Sequence, residues 1–352
     1  MAVRELAVSG RVRETLAGGA LAPAWVAHGL LVVPFLLGVE VPLALQYAPL
    51  AVSVLVLGLP HGAVDHLAVP RVRDRPVTLR ALAGVGALYG LLGGAYLALW
   101  FLAPVPAFLL FIAITWAHWG QGDVYTLLAL ADVGHLRSRA QRVATAAVRG
   151  GLPMLVPLLS YPGQYRRVAR ALTGRFGVAP SALAPLFRVE TRLALGAAFA
   201  ALTLGTLAVG LARATDGFRD SGWRVDAGET ALLWAFFLAV PPVLAVGVYF
   251  CLWHSLRHIA RLVLLDGDAV AGLRAGSLAP ALRGFARDAA PLTAVSVVFL
   301  AAFYYLVPVR PANVEAAVGL YLVLIAVLTL PHVVVVALLD RAQGVWNVSD
   351  SG

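Results

Sequence analysis

Eight histidines occur in the 352 residues; His28 lies in the first apolar run and His135 in a loop, and the other six lie in later apolar runs: His61, His66, His118, His254, His258 and His332. An ionisable side chain in hydrocarbon is costly and usually faces the interior of a helix bundle for a reason, so six of them need a common explanation. His254 and His258, in Trp253-His254-Ser255-Leu256-Arg257-His258, are four residues apart. On a helix that puts both imidazoles on one face, about a turn from each other. The spacing suits two ligands of one metal, although packing alone also produces it. His61 stands between Pro60, which frees the local backbone, and Gly62, which admits a neighbouring helix; Asp65, one turn on, is placed to orient an imidazole by accepting its N–H. His66 and His332 are further candidates, as supports of ligands or as ligands themselves. Neutral imidazoles without a thiolate suit Fe(2+), Cu or Zn. Four imidazoles close a tetrahedral zinc site, whereas iron takes five or six ligands and keeps a position for O2, so iron is the expectation for an enzyme.

Such residues must be held by elements embedded in lipid. The chain is 61% hydrophobic and only 13% charged, with a mean hydropathy of +0.85; an ordinary soluble domain is roughly 25% charged, so a water-soluble globule is excluded. Apolar runs near the ~20 residues needed to cross a bilayer recur from Trp25 to Leu339. They predict an all-α, polytopic transmembrane helical bundle of about eight spans, near 22–39, 42–66, 79–103, 105–130, 191–212, 229–262, 288–308 and 313–339. The whole chain, 1–352, reads as a single integral-membrane domain. Pro241-Pro242 and Pro331 lie inside spans and predict kinked helices there. A ninth run, 144–160, contains Arg149, Gly150, Gly151, Pro153 and Pro157 and is expected not to cross, leaving 144–190 a partly interfacial segment with an amphipathic piece over 161–190.

All 27 basic residues are arginine, and the net charge is +9. With eight spans, Arg4, Arg11, Arg13, the loops around Arg71–Arg80 and Arg137–Arg142, the run Arg166–Arg175, the stretch Arg257–Arg287 and Arg341 collect on one side. Arg310 and the mixed 213–229 loop fall on the other. The positive-inside rule then places residues 1–20 and both termini in the cytoplasm, with the chain in the cell membrane. His61, His118, His254 and His332 all fall in the inner half of the bundle. The arginines read as anchors to anionic lipid, which removes the reason to invoke nucleic acid. Residues 1–19 have no apolar core and do not resemble a cleavable signal peptide. Cys251, the single cysteine, can form no intramolecular disulfide.

Four motifs, in this order, resemble the Brp/Blh family of membrane-integral β-carotene 15,15'-dioxygenases: Gly58-Leu59-Pro60-His61-Gly62-Ala63-Val64-Asp65, Ala117-His118-Trp119-Gly120 with Asp123, Trp253-His254-Ser255-Leu256-Arg257-His258, and Leu330-Pro331-His332. The resemblance implies a carotenoid-cleaving dioxygenase that uses non-haem iron, Fe(2+), and O2 to split the central double bond of β-carotene into two molecules of all-trans-retinal. It also implies a functional link to a retinal-binding rhodopsin. It implicates His61, His118, His254 and His258 as iron ligands, with Asp65, His66 and His332 as supporting groups or additional ligands. A substrate that is an apolar rod about as long as a bilayer is thick calls for a dry tunnel within the bundle. A histidine-lined membrane metal or proton transporter is the alternative, but it would spread polar groups through both halves of the membrane. A b-type cytochrome would not need the Pro-His breaks, and a di-iron desaturase needs more clustered histidines.

Overall fold

A computed structural model describes residues 8–179, 181–307 and 310–348; Arg4 lies outside them. All regular structure among the described residues is helical. In chain order the main elements are α1 (Gly10–Leu36), α2 (Leu43–Val72), α3 (Leu79–Leu102), α4 (Pro104–Ala129), α5 (Arg139–Ser160), α6 (Pro162–Thr173), α7 (Val189–Arg213), α8 (Ser221–Ala239), α9 (Pro242–Val263), α10 (Gly267–Arg274), α11 (Ala279–Leu306) and α12 (Val314–Gln343). Eight of these, α1, α2, α3, α5, α7, α9, α11 and α12, are long and apolar enough to cross a membrane. The chain is thus a multi-pass membrane protein.

The number of apolar spans agrees with expectation, but their identity does not. The 144–160 run, expected to stay out of the membrane, makes up all but the first five residues of α5, one of the helices long and apolar enough to cross, and Arg149 within it is fully buried. The expected 105–130 span is the 26-residue helix α4, whose apolar character is diluted by His118, Gln121 and Asp123. The expected 229–262 span is two helices, because at Val240 and Pro241 the backbone turns extended (ψ 134° and 137°) and α9 starts anew. The kink expected at Pro241-Pro242 is therefore a break, while α12 runs unbroken through Pro331.

Because α5 runs from the Arg137 loop to the opposite end of the bundle, the arginine loops sort differently from the expectation. At one end of the bundle Arg13 pairs with Asp132 (2.6 Å), Arg71 with Asp288 (2.6 Å), Arg142 donates to the Val345 carbonyl (2.6 Å) and Arg213 to Ser138 (2.9 Å). The 213–220 loop thus joins the Arg71 and Arg137 loops, opposite to where it was expected. Residues 161–179 move the other way: Tyr161 donates to the Ala239 carbonyl (2.6 Å) and Arg175 to that of Arg310 (3.4 Å), at the far end. The amphipathic reading of this stretch holds for α6, which buries Ala169, Leu172 and Thr173 and lies so close to α12 that a Cβ at Gly319 would meet the Ala171 carbonyl at 2.9 Å.

Helices α3, α7 and α11 are peripheral, and α5 and α9 are interior. The α4–α5 contact is backbone on backbone. A Cβ at Gly120 would lie 1.9 Å from the Ala146 carbonyl oxygen, and one at Gly150 would lie 1.9 Å from that of Trp116. Small residues at such crossings let membrane helices approach where lipid offers no hydrophobic driving force. Helix α8 begins with Asp220, whose carboxylate accepts from the Trp223 and Thr215 amides (2.8 and 3.1 Å), contacts that hold it below the usual carboxylate range.

Candidate metal centre

Helix α2 is the most irregular span. It is assembled from four short helices, Leu43–Gln46, Ala48–Ser53, Gly58–Gly62 and Asp65–Val72, with Leu57 held at φ 64° between the second and third. A β-carbon at Gly58 would meet the Ser53 carbonyl at 2.4 Å and Phe250 at 2.9 Å, so only glycine fits where the chain doubles in on itself. Irregular backbone at membrane depth is tolerated where it is buried in protein or lines a cavity. Here the break turns His61 inward. Helix α9 carries a second irregularity, a π-helical stretch over Tyr249–Ser255 that contains His254 and ends three residues before His258. Such wide turns recur at functional sites because they rotate the side chains that follow out of the ordinary register.

Five buried imidazoles from four helices converge. His61 has ring centroids of His254, His258 and His332 at 5.2, 5.5 and 5.2 Å, and His118 has those of His254 and His332 at 4.7 Å each. His258 and His332 are 5.1 Å apart. Ligand atoms of His61, His118 and His332 all lie within 4.8 Å of one another, as do those of Asp65, His258 and His332. The four histidines singled out first are thus together, and His332, expected at the margin, is a full member. Each of His61, His118 and His332 is about three turns from the end of its helix, at Val72, Ala129 and Gln343. His66 does not join these ring contacts; it is half-buried, with Nδ1 3.1 Å from the Ala63 carbonyl.

Hydrogen bonding shows which nitrogens are committed. His332 Nδ1 donates to Asp65 Oδ2 (2.7 Å), which also accepts the Tyr89 hydroxyl (2.6 Å). His61 Nδ1 meets the Gly58 carbonyl. Both rings therefore present Nε2 as a lone pair. The Nε2 atoms of His254, His258 and His332, and both ring nitrogens of His118, are buried without a partner. Leaving a buried polar atom unsatisfied costs about 1–3 kcal/mol, and a native structure seldom gathers several at one point without a ligand to satisfy them. The donor set fits a divalent metal that accepts imidazole nitrogen, and this buried His/Asp group can bind one.

A second polar cluster adjoins the first and was not anticipated from sequence. Arg149 of α5 pairs with Glu229 (2.8 Å) and Asp226 (3.0 Å) of α8, and Arg257 of α9 pairs with Glu229 (2.5 Å) and with Asp123 of α4 (3.3 Å). Trp25 and Trp253 donate to Glu229 and Asp123 (2.7 and 3.1 Å), and His135 contacts Asp226 (3.1 Å). The lone positive charge in the apolar 144–160 run was the signal that acidic partners had to exist elsewhere. His28, also in an apolar run, commits Nδ1 to the Ala24 carbonyl (2.7 Å) and packs against Phe236 and Trp253, away from the cluster.

The imidazoles of His61, His118, His254 and His332 line a cavity of about 880 Å³, walled almost wholly by apolar side chains, among them Phe108, Trp119, Phe250 and Phe303. It is near the upper end of the ~300–1,000 Å³ range of small-molecule sites. Helix α12 lines it from Glu315 to His332, seventeen residues or roughly 25 Å of helix. Its polar lining includes Asp65 and the imidazoles of His61, His118, His254 and His332 at one end and Glu315 at the other, with mostly apolar side chains between.

Residues 52–340 match the model of the family described as beta-carotene 15,15'-dioxygenase. A Halobacterium salinarum protein named "Probable beta-carotene 15,15'-dioxygenase Blh" is 52% identical over 338 residues, 96% of this chain and 97% of that protein. A second from the same species, named "Probable beta-carotene 15,15'-dioxygenase Brp", is 33% identical over 325 residues, 88% of each chain. No solved structure matches significantly. By the family match over most of its length and by both relatives, this chain belongs to the beta-carotene 15,15'-dioxygenase family.

Proposed function

We propose that this chain, acting as one integral-membrane unit, cleaves the central 15,15' double bond of β-carotene with O2 to give two molecules of all-trans-retinal. The observation that carries the reading is the convergence of five buried imidazoles, four with unpartnered nitrogens, at the side of a long apolar cavity. We assign Fe(2+) to His61, His118, His254, His258 and His332. Ferrous iron held there would supply the activation of O2 next to the polyene. The balance is simple: the C=C and O–O bonds break, two C=O bonds form, and no further reductant is consumed.

The remaining work falls to the protein. Asp65, fixed by Tyr89, accepts from His332 Nδ1 and so keeps its Nε2 aimed at the centre; the Gly58 carbonyl does the same for His61. Aromatic walls at Trp119, Phe250 and Phe303 hold a conjugated rod by its faces and exclude water from the reacting carbons. The arginine-rich end of the bundle, where Arg13, Arg71, Arg142 and Arg213 make their contacts, is read as cytoplasmic, in the cell membrane, with O2 arriving through lipid. A retinal-binding rhodopsin is the fitting consumer of the product. The histidine-lined transporter is the weaker reading, because the unpartnered imidazoles form one closed group and not a path along the bundle.

The test is expression in a bacterium that accumulates β-carotene, followed by purification. Loss of colour with formation of retinal, abolished by a chelator and restored by Fe(2+) but not Zn(2+), is the expected result. Purified metal-free protein that still makes retinal would defeat the metal assignment, and off-centre aldehydes would defeat the regiochemistry.

A further inference from the structure

The lining of the cavity reaches the exposed outer faces of two helices, midway along their lengths. On α3 it is lined by Gly86, Gly90 and Gly94, all exposed, and on α11 by Leu292, Val295 and Phe299, which are 37%, 46% and 61% exposed. Gly90 and Leu292 lie at the midpoints of Leu79–Leu102 and Ala279–Leu306, two of the helices apolar enough to cross. The two helices flank the cavity without packing along each other; both pack on α12 and on α2, which lie behind the gap. A β-carbon at Gly86, Gly90 or Gly94 would have no atom within 4 Å, so the glycine face of α3 borders open space and not a neighbouring helix. Small residues alone would mean little. What gives them meaning is that the same cavity reaches His118, which is 2% exposed and has both ring nitrogens unpartnered.

We propose that the gap between α3 and α11, bordered by Gly86, Gly90, Gly94, Leu292, Val295 and Phe299, is a lateral portal through which an apolar polyene passes between the bilayer core and the imidazole centre. The inference rests on the function proposed above and adds the route and the residues that gate it. A rod with no polar group gains nothing from an aqueous entrance, since leaving the hydrocarbon for water would cost about 25 cal/mol for every Å² of apolar surface exposed. An opening flanked by lipid-facing leucine, valine and phenylalanine avoids that step. Phe299 is the bulkiest of the exposed residues at the gap, and the glycines opposite leave room for a ring to pass it.

The experiment compares Gly90→Phe with Gly84→Phe in the full-length protein in liposomes preloaded with β-carotene. Gly84 also has open space at its β-carbon but lies outside the cavity lining. Gly90→Phe is expected to lower kcat/KM by tenfold or more and to slow β-carotene uptake by the metal-free protein, followed as quenching of tryptophan fluorescence, with bound iron unchanged. Gly84→Phe is expected to match the wild type in all three. Because uptake needs no metal and no turnover, the portal can fail separately from the reaction. Wild-type protein that cleaves β-carotene while Gly90→Phe and Gly86→Phe take it up and cleave it at the same rates overturns the portal alone. Wild-type protein that neither takes up nor cleaves the polyene overturns the portal and the functional reading together.

Discussion

The imidazole cluster and the arginine–carboxylate network adjoin on α9, where Arg257 falls between His254 and His258 in sequence, yet they answer the problem of burial in opposite ways. In the network every charged group has an opposite charge within 4 Å, drawn from α4, α5, α8 and α9. In the cluster no arginine stands among the rings, and five imidazole nitrogens, from His118, His254, His258 and His332, converge with no protein partner. The first arrangement is what a fold needs to bury charge at all; the second raises the energy of the fold and makes sense when a ligand completes it. The contrast separates residues whose loss should unfold the protein from residues whose loss should only silence it.

The largest effect on activity is expected from His118→Ala. Retinal formation should fall to background and bound iron should be lost, while the melting temperature compared between metal-free variant and metal-free wild type stays level or rises, since two unsatisfied nitrogens leave the interior. A large drop in melting temperature would erase the contrast. Arg149→Leu should do the reverse. It strands Asp226 and part of Glu229 and should cost about 3–5 kcal/mol of stability, read by denaturant or thermal unfolding in detergent, while molecules that remain folded keep their iron. Asp65→Asn tests the join between supporting and binding groups. Without the carboxylate acceptor for His332 Nδ1, metal affinity should fall about 10–100-fold, and titration with excess Fe(2+) should recover most of the activity. Tyr89→Phe removes one donor to Asp65 and is the smallest change, about 1 kcal/mol of stability; iron content should be unchanged, and a loss of iron would move Tyr89 into the centre itself.

The portal and the α4–α5 seam form a second contrast. At Gly120 and Gly150 an added β-carbon would run into backbone at 1.9 Å, whereas at Gly86 and Gly90 it would meet nothing within 4 Å. Glycine closes the bundle in one place and leaves it open in the other, a difference that residue type alone does not carry.

Hydropathy was sufficient for the class of protein and spacing for the His254/His258 pair, because an apolar run and a helical i,i+4 pair are properties of a contiguous segment, while the motif resemblance brought in His61 and His118. The assignment of Arg149 to a crossing helix was not readable that way. Its partners Asp226 and Glu229 are 77 and 80 residues further on, and only their approach in space makes a buried guanidinium tolerable. The same error moved residues 161–179 and the 213–220 loop to the wrong ends, since one miscounted crossing reverses everything between it and the next. His332 depended on Asp65, 267 residues away, to choose which nitrogen it presents. What each segment is follows from its own composition. Which charges cancel, which lone pairs meet and which glycine faces emptiness arise only when distant segments are brought together, because electrostatics and packing act through space and not along the chain.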